Sequence, residues 1–385
     1  MRILIAPDSF KESLGAADVA AAIARGIRTV MPDAEIVCLP MADGGEGTLD
    51  AVVQGAGGEV RHARVVDALG RDCSARWAWI APSTAFIEMA SAVGLEQIAP
   101  EDRDIMRADT TGVGQLILLA LDAGAREIVL TAGGSATNDG GTGMLTKLGL
   151  RLLDARGHTL PPGPGSLGDL AKIDSTGLDA RLSSVEWTIA TDVDNPLCGE
   201  LGASAVFGPQ KGANPAQVMD LDAAIQHFAT QSHQKIGSDH SQTPGAGAGG
   251  GIGFAAIAWL DAKVRPGAEM VAELIGLQDH MKSADLVLTG EGRMDGQTLH
   301  GKAPMQVIRT AHECRIPVIA LAGSLGPGYT DLYKEGLTAA FSLVSGPMSL
   351  EDACAQADSL LAQRASDIMR VLEMGATVLS KRQPS

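Results

Sequence analysis

Five short polar segments hold the residues whose types and spacing could do chemistry. Asp8, Ser9 and Lys11 follow the apolar run RILIAP, and Asp43, Gly44 and Glu46 follow EIVCLPMA. Gly134, Ser135, Thr137, Asn138 and Asp139 follow REIVL, Asp192 and Asn195 follow EWTIA, and Glu291, Arg293, Asp295, Thr298 and Lys302 follow DLVLTG. Glycines in such loops let several backbone N–H groups face one oxyanion, and a helix start behind the loop adds partial positive charge. Carboxylates beside those donors suit a phosphate only if a cation lies between, which points to Mg²⁺. The densest segment, TAGGSATNDGGTGM at 131–144, reads as an anion cradle with a metal-facing acid, Asp139.

The elements that must position these loops follow from periodicity. RILIAP predicts a strand, Val19, Ile23, Ile27, Val30 and Met31 recur at helical spacing, and EIVCLPMAD predicts a second strand, the signature of a parallel sheet covered by helices. Residues 59–89 hold three consecutive strand-like runs, EVRHARVV, CSARWAWI and TAFIEMA, which predicts an antiparallel meander. A helix is expected at about 110–123, before the strand REIVL, and residues 154–184 read as mostly irregular. GFAAIAWLDA reads as a buried helix. From about 283 alternation returns, ending in one long helix over 350–373 with Ser349 and Asp352 as a capping box. The ends of the chain resemble each other and the middle does not. The fold class is therefore α/β with two domains: a doubly wound parallel-sheet domain made of both termini, with an α/β domain inserted. In open parallel sheets ligands bind beyond the carboxyl ends of the strands, where all five loops lie.

Composition narrows the class. The 385 residues suit two domains, 45% are hydrophobic and 20% charged, and 47 are glycine, without the period of a fibrous repeat. A net charge of −16 disfavours nucleic acid and anionic membranes. Cys38, Cys73, Cys198, Cys314 and Cys354 form no C-x-x-C pair and read as buried reduced thiols of a cytoplasmic protein. No signal peptide or apolar span is legible.

Two generic motifs fail on inspection. GQTLHGKA at 296–303 has Walker A spacing, but Ala303 stands where the metal-binding Ser or Thr must be; GAGAGG at 245–250 follows a polar run instead of a strand. Taken singly, each Asp-Gly or Asn-Asp-Gly loop also fits an ordinary turn, and Lys11, Lys211 and Lys302 also fit solvated surface lysines.

APDSFKES, ADGGEGT, GGSATNDGG, DVDNPLCG, VFGPQKGA, PGAGAGGGIG and TGEGRMDGQT-x-x-GK occur in this order between residues 6 and 302. With these motifs the chain resembles the bacterial type I glycerate kinases, also called glycerate 2-kinases, along essentially its whole length. The resemblance implies ATP-dependent phosphorylation of D-glycerate with Mg²⁺, giving 2-phosphoglycerate in glyoxylate, glucarate or serine-linked metabolism. It also implies a flavodoxin-like domain with an inserted domain whose core is restriction-endonuclease-like. The expected boundaries are 1–45 with 280–385 for the first and 46–279 for the second, with the active site in the cleft between them. Thr191 and Gly249 depart from the family's usual Cys and Ala without removing a group that chemistry needs.

Phosphoryl transfer requires in-line positioning, cations on the phosphate oxygens and an acceptor for the hydroxyl proton. Asp192 leads as base or metal ligand, with Asp139 and Asp295 as partners, and Asp192 and Asp139 are the expected metal ligands. Lys11 is the first choice to counter transferred charge, then Lys302 and Arg293. Asn138, Asn195 and Thr298 are neutral donors. The glycerate carboxylate could lie on the 135–141 backbone or on Asp8, Ser9 and Lys11. Transfer to the 3-hydroxyl, a dinucleotide-dependent oxidoreductase using GAGAGG, and a two-lobed anion-binding protein are the rival readings. The oligomeric state is not legible.

Overall fold

The computed structural model describes residues 1–11, 13–45 and 47–380. The chain forms two compact units, each discontinuous in sequence: Met1–Asp43, Asp50–Ala56 and the chain from Ala268 onward make one, and Gly44–Leu49 with Gly57–Gly267 make the other.

The first unit is built on five parallel strands, Arg2–Ile5, Glu35–Cys38, Leu286–Met294, Val318–Leu325 and Ala339–Ser342. Counted along the chain they lie side by side as 2-1-3-4-5. A parallel sheet is covered on both faces, so its strands read as continuous apolar runs; Ile3, Leu4, Ile5, Val287 and Leu288 are all buried. Helix Ala16–Arg28 lays Val19, Ile23 and Ile27 onto this core. A side chain at Gly26 would collide with the Ala362 carbonyl, so that helix meets Ala357–Ser380 with their backbones in close approach. The strand order reverses between Arg2–Ile5 and Leu286–Met294, a topological switch point; Asp8 lies in the loop after the first strand, while Glu291, expected in a loop, lies within the carboxyl half of the second.

The second unit contains a six-stranded mixed sheet. Strands Glu59–Val66, Asp72–Ile80 and Thr84–Glu88 form the antiparallel meander expected from the sequence. Glu127–Thr131, Glu186–Ala190 and Lys263–Arg265 then add in parallel to Thr84–Glu88. A separate antiparallel pair, Arg151–Leu153 with Lys172–Asp174, occupies part of the stretch read as irregular.

Three expectations need correction. The long terminal helix is two helices, Leu350–Ala355 and Ala357–Ser380, with Gln356 at φ −102° between them. The Ser349 hydroxyl accepts from the Asp352 N–H at 3.0 Å, but the Asp352 carboxylate takes the Ser349 hydroxyl proton instead of the Ser349 backbone N–H, so the box is half-formed. Helix Pro215–Ile236 has no counterpart in the sequence reading, and it packs Leu221, Ile225 and Phe228 into the core. Of the five free cysteines only Cys198 is buried; the others are half-buried. Among the described residues no helix is long and apolar enough to cross a membrane.

Candidate active site

In the five-stranded unit, the chain leaving Arg2–Ile5 is held beside strand Leu286–Met294 by the Asp8 N–H, which donates to the Gly290 carbonyl at 2.9 Å. This places the buried Asp8 carboxyl against Asp43 and Glu291. Burial first, then the charge of Asp43 and more weakly that of Glu291, pushes the Asp8 carboxyl up to about 7, although the Ser9 N–H and Lys11 favour its charged form. Glu291 is also buried, and burial raises its carboxyl. Its two oxygens are satisfied separately: the Thr298 hydroxyl donates to Oε1 at 2.6 Å and the Lys302 ammonium to Oε2 at 3.0 Å. Asp8, Ser9, Lys11, Asp43, Glu291, Arg293 and Lys302 line one cavity of about 690 Å³.

Two residues expected to act on substrate have other occupations here. Asp295 caps the turn Gly296–Leu299: its Oδ1 accepts from the Gln297 N–H at 2.9 Å, and its Oδ2 accepts from Arg293 Nε at 2.9 Å. Those contacts, the Gln297 N–H foremost, hold its carboxyl below the ordinary range. Thr298 spends its hydroxyl proton on Glu291 and accepts from the Asp295 N–H at 3.1 Å. Lys302 is an ion-pair partner of a buried acid, so the reading of a plain surface lysine fails for it; Lys11 is exposed on the cavity wall.

In the second unit, the loop after Glu127–Thr131 turns through Gly134, Gly140 and Gly141, all at positive φ. Asp139 is fully enclosed. It accepts from the Thr110 N–H at 3.0 Å, the Thr110 hydroxyl at 2.8 Å, the Gly143 N–H at 2.9 Å and the Gly141 N–H at 3.1 Å. With four donors on two oxygens it fastens the loop to residue 110 and to the start of helix Thr142–Lys147, so its oxygens, expected to ligate a metal, are taken up within the protein. Burial, and next Asp109, push its carboxyl up to about 6.

Lys211, for which the sequence left a solvated surface lysine as an open reading, lies in the core, 3% exposed. Its ammonium donates to Ser135 Oγ at 2.8 Å and to the Thr137 carbonyl at 2.6 Å. Burial pushes it down to about 7, opposed by Asp139. The signal was its place inside VFGPQKGA, a motif with no other ionisable group. Asn138 donates to Ser204 Oγ at 2.9 Å. Asn138 Oδ1, Thr137 Oγ1 and Thr131 Oγ1 are buried without a hydrogen-bond partner, so the loop keeps unused polar capacity.

GAGAGG has a packing role. Gly250 accepts from the Gly140 N–H at 2.9 Å, and a Cβ on Gly250, at φ +72°, would strike the Thr137 carbonyl. The left-handed run Gly249, Gly250 and Gly251 is thus occupied by the neighbouring loop, which leaves no opening for a dinucleotide. Asp192, at the end of strand Glu186–Ala190, is exposed and accepts from the Gly267 N–H at 2.8 Å. Asn195 donates to the Leu201 carbonyl at 2.8 Å and so shapes its own loop. A Cβ on Gly44 would lie 3.3 Å from Gly267 Cα, and one on Gly133 would lie 3.0 Å from the Gly44 carbonyl oxygen. Bare backbone therefore gathers beside Asp192. Glu46 lies outside the described residues.

Hard carboxylate oxygens beside backbone donors and lysines, on a parallel and a mixed sheet, are the layout of an α/β enzyme. A model of the Glycerate kinase family matches residues 3–373. The chain is 47% identical over 367 residues to the glycerate kinase of Halalkalibacterium halodurans, covering 95% of this chain and 97% of that one. It is 44% identical to the glycerate 2-kinase of Escherichia coli K12, covering 97% and 99%. A crystal structure of a proposed glycerate kinase 2 from Salmonella typhimurium LT2 superposes with TM-score 0.88 at 45% identity, covering 98% and 99%. The chain belongs to the glycerate kinase family, and it is a kinase.

Proposed function

We propose that the protein transfers the γ-phosphoryl group of ATP to the 2-hydroxyl of D-glycerate with Mg²⁺. The observation that carries this is the cavity wall on which the cations Lys11, Arg293 and Lys302 stand with the acids Asp8, Asp43 and Glu291. Cations alone would bind any phosphate; cations with acids suit a phosphate that arrives with a metal. The 2-position is supported by the name of the E. coli relative.

The donor set fits Mg²⁺. Among the described residues no three His, Cys, Asp or Glu side chains form a set able to hold a metal by themselves, and Mg²⁺ commonly uses one or two carboxylates and completes its shell with phosphate and water oxygens. Burial raises Asp8 first and the charge of Asp43 next, and a cation would offset both. Asp8 and Asp43 are the carboxylates we assign to it, and Asp139 is reassigned to holding the loop. When bound, the ion neutralises charge on the transferring phosphate. Lys11 and Lys302 orient and counter the same charge. The exposed carboxylate of Asp192 is the base we assign to the glycerate hydroxyl proton. The 131–144 loop, stiffened by Asp139 and Lys211, offers N–H groups to the glycerate carboxylate.

We also read the five-stranded unit as flavodoxin-like, supported by its 2-1-3-4-5 order, and the other unit as an insertion with a restriction-endonuclease-like core. A direct test is ADP release with ATP and Mg²⁺ on D-glycerate, L-glycerate, glycolate and D-lactate. D-glycerate alone supporting rapid release is the expected result. Equal rates with all four acids, or with none, would remove the substrate assignment.

A further inference from the structure

The cavity of the five-stranded unit has a second half that the chemistry above does not use. Besides the charged residues it is lined by Leu343, Val344, Met348, Leu350, Ala353 and Leu360. These come from the segment after strand Ala339–Ser342 and from the two terminal helices. Leu350 is 76% exposed and Met348 38% exposed, so large apolar side chains stand open at this end.

A three-carbon hydroxy acid has a carboxylate, two hydroxyls and almost no apolar surface, and it fills only a small part of 690 Å³. Volumes of roughly 300–1,000 Å³ with mostly apolar walls and a few placed charges are those of sites for larger, partly aromatic ligands. A nucleoside triphosphate has that polarity: a flat heterocycle at one end and concentrated negative charge at the other.

We propose that the apolar half, centred on Ala353, Met348 and Leu360, receives the base of the phosphoryl donor, with its phosphates extending toward Lys11, Arg293 and Lys302. This rests on the kinase reading and adds the donor's place. The acceptor is accordingly held elsewhere than in this apolar half. The break at Gln356 serves the site: it lets the short helix Leu350–Ala355 turn Ala353 and Cys354 to the cavity while Ala357–Ser380 packs on the sheet.

Two measurements on the full protein test it. In steady-state kinetics, Ala353→Phe fills the apolar half and is expected to raise KM for ATP at least about tenfold while KM for D-glycerate stays within about twofold. On the wild type, Cys354, half-buried on the cavity wall, is alkylated by a maleimide and followed by site-resolved mass spectrometry, with Cys314 as control. A non-hydrolysable ATP analogue with Mg²⁺ is expected to slow labelling of Cys354 at least about tenfold and leave Cys314 unchanged; D-glycerate and tripolyphosphate are expected not to protect.

Protection by tripolyphosphate equal to that by the analogue would overturn placement of the base, as would protection by D-glycerate alone. An Ala353→Phe enzyme with both KM values unchanged, or only that for glycerate raised, contradicts the proposal too. If the wild type turns over ATP and glycerate but the analogue does not protect Cys354, the base site falls and the kinase reading stands. If the analogue protects and no phosphorylated glycerate forms, the donor site stands and the acceptor assignment falls.

Discussion

Lys302 Nζ lies 3.0 Å from Glu291 Oε2 while the Thr298 hydroxyl holds the other oxygen, so both oppose the burial that raises this acid at the switch point of the five-stranded sheet. Lys302→Met removes the charge partner and leaves Glu291 with the hydroxyl alone. Lys302 is 34% exposed, which screens the pair, so the expected loss is about 1–3 kcal/mol near neutral pH, below the usual figure for a fully buried pair. Glu291 is raised by burial, and without Lys302 it rises further. The deficit should therefore be greatest at alkaline pH and shrink as pH falls and Glu291 takes a proton. Urea melts at pH 5 and pH 8 read this directly.

Asp8 makes a pH prediction of the same sign. Its folded carboxyl is raised from 3.8 to about 7, so the folded state binds the proton more tightly than the unfolded chain. The associated stability is complete below pH 4 and is lost as pH rises toward 7. At about 1.4 kcal/mol per pK unit the ceiling is about 4 kcal/mol, and roughly half of that is expected after relaxation and water entry. Asp8→Asn, neutral throughout, should flatten the profile and leave the variant more stable than wild type at pH 8. A steeper fall in the variant would contradict the account.

The two aspartates expected to share a metal should separate in the laboratory. Asp139→Asn turns an amide toward a ring of N–H and O–H donors and leaves buried donors unpaired, so a loss of about 3 kcal/mol or more is expected in denaturant melts. Asp192→Asn, at an exposed carboxylate, should change stability by less than about 1 kcal/mol and lower kcat at least about a hundredfold. Near-wild-type turnover in Asp192→Asn would exclude Asp192 from proton or metal work.

Gly250→Ala should be destabilising by more than about 3 kcal/mol, because it combines a left-handed backbone with a Cβ driven into the Thr137 carbonyl. Its unfolding midpoint should drop without any change in NADH fluorescence, since the glycine run holds a loop and not a dinucleotide.

Much of the architecture was legible because its signals are local. Ile3, Leu4 and Ile5, and the Val19, Ile23, Ile27 stripe, declare a buried strand and its covering helix. Helix Pro215–Ile236 was locally signalled too, by the Asn214 and Gln217 capping box and Pro215, but its apolar face is narrow beside a polar surface. The site was legible as a set of loops and much less as a set of roles. Asp139 and Asp192 look alike in sequence, each in a loop after an apolar strand. What separates them is the Thr110 N–H and hydroxyl, supplied from 29 residues away. Lys211 became a core residue through Ser135 and Thr137, 76 and 74 residues distant. Roles set by such long-range partners cannot be read from spacing.

The most direct test of the central claim is the ³¹P NMR spectrum of the product formed by purified protein, ATP, Mg²⁺ and D-glycerate. The account predicts the 2-phosphoglycerate signal, in step with ADP. A 3-phosphoglycerate signal would contradict the position of transfer, and the absence of any phosphorylated glycerate from folded protein would contradict the acceptor itself.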